Sequence, residues 1–186
     1  MLTIVTHPND VLRTRASSIA VPFSQDIKTL AGEMVETMRF ADGVGLAGPQ
    51  VGRLNRICII RSACVDYKEV SPSQKKQIKS LLKNDSDLVL INPKIVLRGK
   101  EREWGEEGCL SIPGVYGEVE RARAIQLSAL SSIGEELSFT AGHFFARVIQ
   151  HEVDHLDGIL FIDKARNVKT DHAYTPCYRL NFLDKT

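Results

Sequence analysis

The stretch from Gly142 to Leu156 constrains this chain most. Its apolar residues recur at helical spacing, and on a 3.6-residue period Phe144, Val148, His151 and His155 fall along one stripe. The two histidines therefore continue a face that otherwise looks inward. Imidazoles one turn apart can grip a single metal ion, and Glu152, beside the first, can reach a water near that ion without being a ligand. His151-Glu152-Val153-Asp154-His155 is the HExxH pattern of metal-assisted hydrolysis. A structural reading competes with it: helix histidines paired to Asp154 or Glu152 give the same spacing. His143 lies about 80° off the stripe and reads as a helix-start residue.

The remaining periodicities say what surrounds that helix. At 186 residues the chain can bury one substantial core but is short for two, so a single domain over 1–186 is expected. From Ser24 to Phe40, apolar Ile27, Leu30, Ala31, Met34 and Met38 predict an amphipathic helix capped near Ser24 or Asp26. Residues 56–61 and 88–98 are rich in Ile, Val and Leu and read as strands, with Asn92-Pro93 marking a turn or bulge between two of them. Residues 124–130 and 137–140 read as a hairpin joined by Ser-Ser-Ile-Gly. The expected class is α+β, mostly antiparallel β-sheets packed around a central helix carrying HExxH. A polar insert over 62–87 holds a short helix near 74–83, with Ile78, Leu81 and Leu82 inward and Lys75, Lys76, Lys79 and Lys83 on a solvated face. The tail, 164–186, predicts an irregular or extended, non-helical ending.

Charge and hydropathy narrow the partners. Lys and Arg number 24 against 23 Asp and Glu, so no positive field is available for a phosphate backbone, and direct nucleic-acid binding is not expected. Apolar runs such as Ile57-Cys58-Ile59-Ile60 fall far short of the roughly 20 residues that cross a bilayer. The first residues carry no basic segment followed by a long apolar stretch, which predicts a cytoplasmic protein without a signal peptide or membrane attachment. The four cysteines form no CxxC pair and no compact disulfide framework.

A metal needs a third protein ligand. The pattern HExxHxxGxxH matches through Gly158 but ends on Phe161, which cannot bind metal, and no Glu follows Glu152. Attention moves upstream to Cys109, which lies between Gly108 and a Pro-Gly turn rather than inside an apolar strand. Metal ligand and ordinary loop thiol both remain open for it, whereas Cys58, with apolar neighbours on both sides, reads as core. The segment 43–50 ends the first helix and lacks the Lys-Ser/Thr of a phosphate-binding loop. It offers backbone that a substrate can approach closely, and Gln50 can donate to a developing oxyanion.

Taken in order, GVGLAGPQ at 43–50, EGCLS at 107–111 and QHEVDHLDG at 150–158 resemble the three signature motifs of peptide deformylases, and the likeness runs from His7-Pro8 through Asp163. The resemblance implies a hydrolase that removes the N-formyl group from the formylmethionine of nascent polypeptides and releases formate. By matching positions, Cys109, His151 and His155 hold one divalent metal, natively Fe2+ with Zn2+, Ni2+ or Co2+ as substitutes. Glu152 acts as base and then acid, and the Gln50 amide and Leu110 backbone N–H stabilise the oxyanion. Val44, Gly45 and Gly108 are expected to pair with an extended peptide as an added strand. Val44, Phe144 and Val148 are the candidates for a methionine pocket, with plain core packing equally open for the last two.

Two departures stand out. Ala47-Gly48 replaces the usual pair of alanines, and the tail lacks the long C-terminal helix that the resemblance links to ribosome docking in some bacterial members. The insert and tail look more like the subgroup that includes organellar enzymes, yet without a visible transit peptide a bacterial cytoplasm is expected. Monomer, homodimer and a transient ribosome contact all stay open. The alternatives are an HExxH peptidase for which Cys109 is incidental, and a non-catalytic metal- or peptide-binding module.

Overall fold

Ser24 accepts a hydrogen bond from the Ile27 N–H and opens α1, Gln25–Phe40, which buries the predicted Leu30, Ala31, Met34 and Met38. The chain turns through Asp42 (φ 50°) and Gly43 into β1, Gly45–Ala47, then a single 3-10 turn, Gly48–Val51, and β2, Ile57–Ile60. The computed structural model describes residues 1–68, 70–82 and 86–171. Within the polar insert, Ser71 and Gln74 form a capping box at the start of α2, Pro72–Leu81, which buries Ile78. β3, Leu88–Arg98, is one strand rather than two. Asn92 adopts φ 51° and its side chain exchanges two hydrogen bonds of 2.8 Å with the backbone of Ile19, so Asn92-Pro93 is a bulge in a continuous strand.

β4, Arg102–Cys109, and β5, Ile112–Ala122, form a hairpin that corrects the loop assignment of Cys109: the cysteine is the last residue of a strand. The predicted hairpin follows as β6, Ala124–Leu130, and β7, Glu136–Gly142. α3, His143–Leu156, comes next, and β8, Arg166–Thr170, gives the tail an extended start. Residues 172–186, including Cys177, lie outside the described residues.

Among the described residues all strand pairs are antiparallel, in a five-stranded sheet of order β1-β2-β3-β6-β7 and a three-stranded sheet of order β4-β5-β8. α3 packs against β1, β2, β5 and β7, and every residue from Phe145 to Leu156 is buried. Phe139 and Phe145 stack at 5.7 Å in the core beside it, and Cys58 is buried in the same cluster. A helix enclosed this completely places six polar side chains, Arg147, Gln150, His151, Glu152, Asp154 and His155, where water cannot solvate them. Each needs a partner or a chemical task. Among the described residues, no helix is long and apolar enough to cross a membrane.

Candidate active site

β4 delivers Cys109 to the inner face of α3. One ligand atom each from Cys109, His151 and His155 lies within 4.8 Å of the others, and all three residues are buried. Cys109 Sγ is 3.2 Å from His155 Nε2, and the two imidazole rings stand edge to face with centroids 4.9 Å apart. Phe161, the residue that ends the protease-like pattern, lies against His151 at 6.2 Å between ring centroids. One sulfur and two imidazole nitrogens, convergent and shielded from water, are a donor set suited to zinc or ferrous iron.

A carboxylate that the sequence reading left without a role orients this set. Glu107 Oε2 accepts from His151 Nδ1 at 2.9 Å, which fixes the proton on Nδ1 and leaves Nε2 as the coordinating nitrogen. Its two oxygens also accept a bidentate pair from Arg121, at 2.9 and 2.8 Å, and a bond from Arg147 at 3.0 Å. Burial alone would raise the Glu107 carboxyl, but the hydrogen bonds from Arg121 and His151 hold it well below the usual carboxylate range. Arg121 in turn contacts Asp154, which accepts from Lys164 Nζ at 2.6 Å. Arg147 also donates to the backbone carbonyls of Glu103 and Val119 at 2.9 Å each, tying the β4–β5 hairpin to α3. The charges on this helix are therefore balanced, as burial demands.

Two buried atoms of this helix have no hydrogen-bond partner among the described residues, Glu152 Oε2 and His155 Nδ1. Burial pushes the Glu152 carboxyl up to about 7. Gly45 is what admits it: a Cβ there would lie 2.2 Å from Glu152 Oε1. Gln50 faces the same cleft with a defined orientation. Its Oε1 accepts from the Ala47 N–H at 2.8 Å, so Nε2 points toward Cys109 Sγ (3.4 Å) and Ser111 Oγ (3.3 Å). Leu110 and Ser111 form the two-residue turn between β4 and β5.

The cleft is lined by Gly43, Val44, Gly45, Gln50, Gly108, Cys109, Leu110, His151 and Glu152. Gly45 and Gly108 belong to β1 and β4, both edge strands of their sheets. Phe144 and Val148 are not in this lining. Val148 is buried in the main core and Phe144 packs against that core.

The sequence model of the polypeptide deformylase family matches residues 1–171. The chain belongs to the peptide deformylase family. Peptide deformylase of Desulforudis audaxviator is 38% identical over 89% of this chain and 94% of its own length. Peptide deformylase 1 of Bacillus subtilis is 38% identical over 90% of this chain and 92% of its own. The crystal structure of the Thermotoga maritima peptide deformylase superposes with a TM-score of 0.74 at 34% identity, covering 89% of this chain and 98% of that one. An Acinetobacter baumannii class I type b peptide deformylase, crystallised with Met-Ala-Ser bound, gives 0.73 at 33% identity over 88% and 98%. The protein is accordingly a metal-dependent hydrolase that removes the N-formyl group from N-terminal formylmethionine of nascent polypeptides.

Proposed function

We propose that deformylation is divided among the cleft residues as follows. Cys109, His151 and His155 hold one divalent metal, Fe2+ in the cell, with Zn2+, Ni2+ or Co2+ able to replace it; the buried S/N/N donor set supports this reading. When bound, the metal supplies Lewis acidity that makes a water more acidic and polarises the formyl carbonyl. Glu152 takes the water proton on its unpartnered Oε2, and the oxygen attacks the formyl carbon. The Gln50 Nε2 amide and the Leu110 backbone N–H donate to the resulting oxyanion. Glu152 then hands its proton to the departing nitrogen, the C–N bond breaks, and formate leaves a free methionyl amine.

The peptide lies along the edge of β1 and β4, bonded through the backbones of Val44, Gly45 and Gly108, so that side chains beyond methionine are tolerated. Val44, Phe144 and Val148 are the pocket candidates for methionine. Residues 1–186 act as one catalytic domain in a bacterial cytoplasm, on formyl-Met nascent chains, as monomer or homodimer, with at most a transient ribosome contact.

The observation that carries the reading is Glu152, buried beside three convergent ligands with its Oε2 unpartnered among the described residues. Glu152→Gln is isosteric but cannot accept the proton; kcat should fall by about a thousandfold or more while bound metal stays at one per chain. A variant that keeps wild-type kcat would remove Glu152 from this role.

A further inference from the structure

We propose that Gly48 is a positioning residue that sets Gln50 against the cleft, and that this chain requires glycine there because the turn at 53–55 occupies the space of a side chain. The proposal rests on the oxyanion role given to Gln50 above. A Cβ on Gly48 would lie 2.4 Å from the Asn55 carbonyl oxygen and 2.7 Å from that of Arg53. Both obstacles are backbone, so neither can swing aside. The two segments are also bonded: the Arg53 N–H donates to Gly48 O at 2.9 Å and the Gly52 N–H to Pro49 O at 3.0 Å, with Gly52 at φ 72° closing the turn.

The turn is fastened from behind as well. Ser17 N–H donates to Leu54 O, and Arg56 N–H to Ser17 O, each at 2.8 Å. The Arg56 guanidinium reaches the Pro93 carbonyl, the Leu156 carbonyl and the Asp157 carboxylate, at 3.3, 3.3 and 2.8 Å. Leu156 and Asp157 are the end of α3, the helix that carries both histidine ligands. A continuous line of backbone and guanidinium bonds thus runs from the end of the metal helix to the turn holding Gln50.

A methyl group at position 48 cannot move that line, so it must displace residues 47–50 toward the cleft. Gln50 is aimed by the bond from Ala47 N–H to its Oε1, and any shift of Ala47 re-aims its Nε2. Displacements near 1 Å at a catalytic group cost up to about a hundredfold in rate.

Kinetics of folded, iron-loaded enzyme on a formyl-Met peptide test this. Gly48→Ala should lower kcat by roughly tenfold to a hundredfold, leaving KM and bound iron unchanged. In a Gln50→Ala background the same change should cost nothing further. Adding Arg56→Gln, which loosens the turn from α3, should restore part of the lost kcat. Wild-type kcat in Gly48→Ala, or an equal loss in the Gln50→Ala background, would overturn the proposal. If Gly48→Ala does not fold, Arg56→Gln alone decides: its kcat should fall with Gln50 present and not without it, and equal losses overturn the idea. Failure of the underlying reading shows separately, as full kcat in Gln50→Ala.

Discussion

Single side chains in this site act mainly by what they force on a neighbour. Gly45 has no functional group, yet its Cα is where the Glu152 carboxylate rests. Gly45→Ala should therefore lower kcat by at least about a hundredfold while circular dichroism and iron content stay unchanged, because the methyl displaces the carboxylate and not the ligands. Glu107 makes a different case. Its removal leaves Arg121 and Arg147 buried without their shared anion and frees the His151 ring to rotate. Glu107→Gln should weaken metal affinity by about 10- to 100-fold, read by competition with a chromophoric chelator. The histidines and Glu152 were legible in the sequence because their spacing is local to one helix. Glu107 stood in plain view beside Cys109, but its partners lie 14, 40 and 44 residues away, and no short-range pattern joins them. Phe144 and Val148 share a helical stripe with the ligands and pack in the main core, so periodicity alone does not separate a pocket wall from core packing.

Elements were legible where one physical signal dominated. α1, α3 and the β6–β7 hairpin follow apolar periodicity and turn chemistry, and fall close to where these place them. The β4–β5 hairpin was hidden because its outer half is charged and solvent-facing, and the glycines at 105, 108, 114 and 117 mimic loop composition. Those glycines include close-packed positions: a Cβ on Gly105 would meet the Arg147 guanidinium at 2.8 Å, and one on Gly108 the Tyr116 ring at 2.9 Å. The end of α3 yields a prediction of its own. Gly158 adopts φ 75° and a Cβ there would lie 2.5 Å from the Arg13 carbonyl oxygen. Gly158→Ala should destabilise the protein by about 1–3 kcal/mol, measured as a lowered midpoint in denaturant with an unchanged slope.

At the scale of the fold, two antiparallel sheets among the described residues enclose α3, and Gln50, Cys109, His151, Glu152 and His155 meet because both sheets close on it. All of them precede residue 171, where the family match ends. A chain truncated after Asp171 should therefore retain kcat and KM within about twofold, and a larger loss would assign the tail a part in catalysis. The three ligands converge from two distant segments, so metal links the β4–β5 hairpin to α3. Chelation should lower the melting temperature, with recovery when iron is restored anaerobically.

Anaerobically purified, iron-loaded protein should be given a formyl-Met peptide and its acetyl-Met counterpart, and released formate and acetate measured. Rapid formate release is predicted, with acetate lower by orders of magnitude and both lost in Glu152→Gln. Folded, metal-replete protein that yields no formate, or that cleaves both amides equally, would contradict a deformylase centre built on Cys109, His151, Glu152 and His155.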